Sequence, residues 1–146
     1  MKILLIHGPN LNMLGRRNRS LYGDKTLHEL EAIVTERATE LGASVKVYQS
    51  NHEGSLIDFI QEEAPKANGI IINPGALTHY GLSLRDALED SNLPIIEVHL
   101  SDIHSREEWR SKSVIEDLAK TQICGLSWQG YIDAVDFLVA LLKKKK

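Results

Sequence analysis

The sequence predicts an α/β domain in which five parallel strands are covered by helices on both faces. Three observations carry that prediction. Short apolar runs alternate with longer amphipathic segments along all 146 residues. Most of those runs are unbroken, as expected of parallel strands buried on both sides. The best defined ones end at turn-forming triplets, Gly8-Pro9-Asn10 and Asn73-Pro74-Gly75, before a helical pattern begins.

Ile3–His7 is the first strand. A polar, glycine-punctuated loop follows to about Gly23, and loops of that length often serve as lids. Thr26 caps the next helix with Glu29 as its capping-box partner. Leu27, Leu30, Ile33, Val34, Ala38 and Leu41 then fall at helical spacing until Gly42 stops the helix. Ser44–Gln49 alternates, contains valines and reads as the second strand. A helix opening at Ser50 or Asn51 carries Leu56, Ile57, Phe59 and Ile60. Gly69–Ile72 is the third strand, and the helix after it carries Leu82, Leu84, Ala87 and Leu88. Pro94–His99 is the fourth strand, Ser105–Glu108 opens a further helix, and Thr121–Leu126 is the fifth strand. Gly130–Leu142 closes the chain as a helix with Ile132, Val135, Phe137, Leu138 and Leu141 on its apolar face. Strand and helix thus alternate throughout, the order of a doubly wound, flavodoxin-like sheet. One catalytic domain is expected to span 1–146, with residues 143–146 as a disordered tail.

Composition narrows the class. Hydrophobic residues make up 42% and charged residues 25%, values of a soluble globular chain. No apolar run approaches the roughly 20 residues that span a bilayer. Met1–Ile6 is too short for a signal peptide and lacks a small-residue cleavage site. The single cysteine, Cys124, cannot form an internal disulfide, so a reducing cytoplasm is the expected compartment. A net charge of −3 gives no sign of a nucleic-acid surface. Lys143–Lys146 reads as a solvated helix end. Arg16, Arg17 and Arg19 form a basic cluster that either binds an anion or is simply solvated.

In open α/β sheets, ligands bind beyond the carboxyl ends of the strands. That rule collects Asn10 and the Arg16–Tyr22 loop after the first strand, then Asn73, Gly75 and His79 after the third. After the fourth it collects His99, Ser101, Arg106 and Arg110, with Glu97 just inside. A free tyrosine titrates near pH 10, leaving about 0.1% phenolate at neutral pH. A guanidinium beside Tyr22 would favour the anion and make it a general base; the plainer alternative is a surface tyrosine packed on the loop. Glu97 and His99 are two apart and share one face of the strand, with Val98 on the other. The carboxylate there could orient the imidazole as a general acid, or His99 could be a core histidine bonded to backbone. Leu100 and Ser101, preceding a short helical segment, suit a carboxylate, and Asn73 adds an amide donor. Arg106 and Arg110, four apart, would share a helical face or pair with Glu107 and Asp102. His79 and Asp86, seven apart, would share a face of the next helix and could pair or reach a ligand or a neighbouring subunit.

Metal and nucleotide sites have little support. His79, His99, His104 and Glu97 are ligand types, but their spacing matches no metal motif. The first turn, His7-Gly8-Pro9-Asn10-Leu11-Asn12, has neither a dinucleotide fingerprint nor a phosphate-loop lysine. Trp109 and Trp128 read as core or interface residues. No cofactor is expected.

Four stretches resemble one family. GPNLNMLGRR (8–17) with Tyr22-Gly23 resembles the opening motif and lid of type II 3-dehydroquinate dehydratases. NPGALTH (73–79) with Arg85-Asp86 is similar to the family's central motif, EVHLSDIHSREEWRSKS (97–113) to its third, and GLSWQGY (125–131) to its closing segment. The resemblance implies conversion of 3-dehydroquinate to 3-dehydroshikimate by trans elimination of water through an enolate. It implies Tyr22 as base, Arg17 as the group favouring its anion, and Asn10 as holder of a water on the enolate oxygen. It further implies His99, supported by Glu97, as the acid for the departing hydroxyl. Asn73, Leu100 and Ser101 would bind the carboxylate, and His79, Asp86 and Arg110 the ring hydroxyls. Asp86's counterpart in the family comes from an adjacent subunit of a dodecamer of four trimers. One departure stands out. The family's lid usually reads Arg-Glu-Pro where this chain has Arg17-Asn18-Arg19, so a looser lid is expected, with Arg19 as a further influence on Tyr22. Two other classes share the fold. One is a flavodoxin-like binding or electron-transfer module, and the other a purely structural or signalling assembly protein.

Overall fold

A computed structural model describes residues 1–145. The strands are β1 Lys2–His7, β2 Ser44–Gln49, β3 Gly69–Asn73, β4 Ile95–His99 and β5 Thr121–Cys124. They form one sheet in the order β2-β1-β3-β4-β5, every pair parallel. The helices are a single turn α1 Arg19–Tyr22, then α2 Leu27–Glu40, α3 Glu53–Glu63, α4 Leu82–Asp90 and α5 Gln129–Lys144. The expected doubly wound, flavodoxin-like α/β architecture is observed.

The strand runs are apolar on both sides because two helix layers need them. Ile3, Leu5, Ile71, Ile96 and Val98 pack under α2 and α5 with Leu30, Val34, Tyr131, Val135 and Leu138. Leu4, Ile6, Ile70, Ile72 and Ile95 turn the other way onto α3 and α4, meeting Leu56, Ile60, Leu84 and Leu88. Register reinforces the layers: Leu4 lies beside Ile70, and Ile70 beside Ile95. Each such side chain, once buried, contributes roughly 1.5–3 kcal/mol. A one-residue slip would turn both sets to the wrong layer.

Side-chain caps set the starts of α1 and α2. Thr26 Oγ1 accepts from the Glu29 N–H (3.1 Å), and the Glu29 carboxylate accepts from the Thr26 N–H (3.2 Å). This completes the expected capping box, and such a cap is worth about 1 kcal/mol. At α3 the helix starts later than expected, with His52 at the cap position. Ser50 Oγ instead accepts from the His52 N–H (3.0 Å), while Asn51 Oδ1 accepts from the Asn10 N–H (2.9 Å), tying this turn to the loop after β1. In α5 the buried face is Tyr131, Ala134, Val135, Leu138, Val139 and Leu142, whereas Phe137 is exposed. Of the expected tail, Lys143 and Lys144 belong to α5, and Lys146 lies outside the described residues.

The connection from β4 to β5 differs from expectation. In place of a helix from Ser105 there are two 3-10 turns, Ile103–Ser105 and Glu108–Arg110. Asp102 is the cause: its carboxylate accepts from the His104 N–H (3.0 Å) and the Ser105 hydroxyl (2.6 Å), local bonds that compete with a helix. The backbone at Arg106 is then extended. Arg106 and Arg110 therefore share no helical face.

Toward the other end of the sheet, Glu63 is a stability determinant. Its carboxylate, 5% exposed, receives Lys46 at 2.7 Å and Lys2 at 3.2 Å. The Lys46 hydrogen bond chiefly holds the carboxyl below its ordinary value, with burial opposing. A carboxyl with a depressed folded pKa contributes stability above its unfolded pKa and loses it as pH falls through the folded one. Glu63→Gln is thus expected to lower the urea midpoint at pH 7, and the difference from wild type should shrink on titration below about pH 4. A difference that stays constant to pH 3 would contradict this.

Candidate active site

The chain leaves β1 for one edge of the sheet and returns to β3 beside it, so the order reverses between these two strands. Beyond their carboxyl ends the loops after β1, β3 and β4 line a cleft. Two glycines let the first two loops approach so closely. A Cβ on Gly8 would stand 2.1 Å from the Pro74 carbonyl oxygen, and one on Gly75, at φ 62°, 2.8 Å from that of Pro9. No side chain fits at either place.

The cleft brings together Asn10, Arg17, Tyr22, Asn73, His79, His99, Leu100, Ser101 and Arg110. Glu97 lies just behind, bonded to His99. Asp86 stands exposed on α4, outside this chain's own cleft. It also shares no helical face with His79, which belongs to the preceding 3-10 turn Gly75–His79. Arg85, from the same motif, ties α4 to the 114–117 segment, giving hydrogen bonds to the Val114 carbonyl (2.6 Å) and Asp117 Oδ2 (3.0 Å).

Without the proline, residues 18–22 still form a capped turn. Asn18 caps α1, its Oδ1 accepting from the Ser20 N–H (3.0 Å) and hydroxyl (2.6 Å). Arg19 then occupies the first helical position, one that tolerates proline and arginine alike. The turn delivers Tyr22 with the Arg17 guanidinium 3.8 Å from its ring centroid. A second guanidinium stands 5.3 Å from the same ring. It belongs to Arg106, not to Arg19, which lines a neighbouring hollow.

His99 is 4% exposed, and its Nε2 lies 2.6 Å from Glu97 Oε2. A carboxylate only accepts, so Nε2 carries the hydrogen and Nδ1 is left for chemistry. Cys124 sits beside His99 in the ladder, but burial pushes its thiol up to about 12, which leaves no thiolate at neutral pH. Asn73 is held at both ends: Oδ1 accepts from the Gly75 N–H (3.1 Å), and Nδ2 donates to the Tyr131 hydroxyl (3.1 Å). Burial pushes the Tyr131 phenol up, so it stays neutral. His79 Nδ1 donates to the Lys112 carbonyl (2.7 Å). Burial lowers the pKa of this imidazole, so it is neutral at pH 7 with Nε2 an acceptor. Its ring meets Trp109 edge-on at 5.3 Å, and Arg110 lies 4.0 Å over that same indole. Trp109 and Trp128 are both substantially exposed, so neither is a core residue.

Charge decides what the cleft can hold. Its lining includes the guanidinium groups of Arg17 and Arg106, together with Arg110, which pairs with Glu107 outside the lining, and no carboxylate. In a chain of net charge −3 this is a local reversal of sign, suited to a small anion. Among the described residues no group of three or more His, Cys, Asp or Glu is arranged for a metal ion. No helix among them is long and apolar enough to cross a membrane.

The family model "Dehydroquinase class II" matches residues 1–139. The chain belongs to the class II dehydroquinase family. It is 60% identical over 139 residues to the 3-dehydroquinate dehydratase of Roseiflexus castenholzii, covering 95% of this chain and 88% of that protein. Its fold matches the crystal structure of type II dehydroquinase from Butyrivibrio crossotus with a TM-score of 0.91 at 47% identity, over 94% of this chain and 97% of that one. The type II dehydroquinase of Propionibacterium acnes gives the same TM-score of 0.91 at 39% identity, over 95% of this chain and 96% of that one.

Of this dehydroquinase-family chain's cleft features, Arg106 is where the strand-end rule puts it, at the site, with Tyr22 and with Ser101 Oγ (3.2 Å) as its neighbours in place of an ion-pair partner. Tyr131 is the one that was not legible as such in the sequence. Tyr131 lies on the buried face of α5, where a tyrosine looks like any other large core residue, and its link to Asn73 spans the sheet.

Proposed function

We propose that this chain is a 3-dehydroquinate dehydratase, a hydro-lyase converting 3-dehydroquinate to 3-dehydroshikimate by trans elimination through an enolate. The observation that carries the reading is the carboxylate-free, arginine-rich cleft, in which a lid phenol under a guanidinium accompanies a strand-end imidazole backed by Glu97. The names of the relatives agree with it.

In this reading Tyr22 Oη takes the proton from the carbon beside the ketone, and the electron pair moves onto the carbonyl oxygen. Arg17, against the ring face, stabilises the anion a base must carry. Asn10 holds a water on the enolate oxygen, and a fixed donor aimed there is worth about 3–4 kcal/mol. The enolate then collapses, its carbon–oxygen bond breaks, and the departing hydroxyl takes the Nδ1 proton of His99, which enters this step as the imidazolium held by Glu97, to leave as water; the proton gained by Tyr22 returns to His99 through solvent to reset the site. The imidazole keeps its Nε2 hydrogen on Glu97. Two titrating groups in separate environments thus serve the two steps. The cleft lining holds no lysine, so no Schiff base is invoked. Asn73, Leu100 and Ser101 bind the substrate carboxylate, while His79 and Arg110 hold ring hydroxyls.

Asp86, outside its own cleft, serves a neighbouring copy's site in this reading, within a dodecamer of four trimers. The chain acts as a single catalytic domain in the cytoplasm. The deciding experiment mixes the protein with 3-dehydroquinate and follows the ultraviolet absorbance of the conjugated enone. A steady rise proportional to enzyme is expected; no rise at micromolar protein would end the proposal.

A further inference from the structure

The Glu97 carboxylate is more elaborately held than a partner for one histidine requires. It is wholly buried and accepts three hydrogen bonds from three parts of the chain. Oε2 receives His99 at 2.6 Å and the Gln122 amide at 3.0 Å, and Oε1 receives the Ser113 hydroxyl at 3.0 Å. Gln122 can do this because the β4–β5 ladder sets it beside Glu97. The amide's own oxygen is then taken: His104 Nε2 lies 2.8 Å from Gln122 Oε1. His104 in turn belongs to the turn capped by Asp102.

We infer that Gln122 and His104 are positioning residues, which hold the Glu97 carboxylate, and through it the His99 ring, in line for proton delivery to the leaving group. The inference rests on the reading of His99 as the acid.

The two ends of a glutamine amide are nearly alike in shape, so something must choose which faces Glu97. A carbonyl oxygen only accepts, so His104 must present an N–H there. Both the neutral and the protonated imidazole can do that. With Oε1 claimed, the Gln122 NH₂ is directed at the carboxylate. Were the amide to turn over, its oxygen would meet Glu97 Oε2, acceptor against acceptor. A polar side chain is not what the strand itself favours at this half-buried position, where a β-branched residue would pack better. Gln122 is explained by what it donates to. A carboxylate bonded to His99 alone could rotate about its last torsion and carry the ring with it. Ser113 fixes Oε1, and Gln122 fixes Oε2, the oxygen His99 also uses, so without Gln122 that oxygen is held only by the ring it should orient; a misplacement of about 1 Å at a reacting group costs up to 10²-fold in rate.

The test is a mutant cycle read in steady-state kinetics with 3-dehydroquinate. Gln122→Leu is expected to lower kcat about 10-fold with KM within about 2-fold, because His99 does its work after binding. His104→Ala should lower kcat about 3-fold, and His104→Gln, which keeps an N–H donor, should restore most of it. The double variant Gln122→Leu/His104→Ala should be no slower than Gln122→Leu alone, since His104 acts only through Gln122. A Gln122→Leu enzyme with kcat within about 2-fold of wild type, or two losses that multiply, would overturn the inference. Should Gln122→Leu fail to fold, as judged by its urea transition, Gln122→Met, which keeps the length and loses the donor, and the exposed-site variants of His104 carry the same test. His99→Asn is measured alongside: if it keeps wild-type turnover, the reading of His99 falls. If it is inactive while Gln122→Leu runs at full speed, only the positioning inference falls.

Discussion

Tyr22→Phe is expected to lower kcat about 10³-fold and to leave the dissociation constant for 3-dehydroquinate within about 3-fold of wild type. The expected size follows from what is removed. The phenyl ring keeps its place under Arg17, 3.8 Å away, because cation–π attraction comes from the ring face. The Asn18 cap and the α1 turn do not involve the phenol oxygen. Lid geometry and substrate contacts should therefore survive, and only the proton acceptor is lost. Positioned general bases contribute about 10²–10⁴-fold, so the loss should be visible at any substrate concentration. Enone absorbance gives kcat and calorimetry gives the dissociation constant. A kcat within about 10-fold of wild type would assign the base elsewhere.

His99→Asn is expected to lower kcat by a similar factor, about 10²–10⁴-fold, but to leave the first half of the reaction running. Deuterium exchange separates the two roles. In heavy water, His99→Asn should still exchange the substrate hydrogen beside the ketone, because Tyr22 can remove and return it. Tyr22→Phe should exchange none. Loss of exchange in both variants would mean that His99 takes part in proton abstraction. The same substitution also has a structural cost. Glu97, fully buried, would lose one of its hydrogen bonds, and a bond to a charged group is worth about 1.5–3 kcal/mol. Urea unfolding should therefore show His99→Asn less stable than Tyr22→Phe, whose oxygen hydrogen-bonds no other group among the described residues.

The two halves of the proposed catalytic pair were legible in the sequence to different degrees. Glu97 and His99 could be paired from spacing alone, because strand residues two apart share a face, and the bond between them is there. Tyr22 and Arg17 could not, since spacing along a loop fixes no direction. It took the Asn18-capped turn to stack them. Arg106 shows the converse. A helix was expected from Ser105, with Arg106 and Arg110 on one face; Asp102 captured the local donors, no helix formed, and both arginines still reached the cleft from separate turns. Side-chain competition with backbone bonds is decided by a few tenths to about one kcal/mol, too little to read from propensity.

Alternation of apolar runs, breakers and caps determined the layered α/β fold by itself, because backbone hydrogen bonding and burial of both sheet faces act on local pattern. Three-dimensional contact alone decided the partners across elements: Asn73 with Tyr131, Glu97 with Gln122, and Arg106 with Tyr22. These pairs are far apart along the chain. Their meeting depends on strand register and loop closure, which summed packing over the whole domain sets and no local stretch encodes.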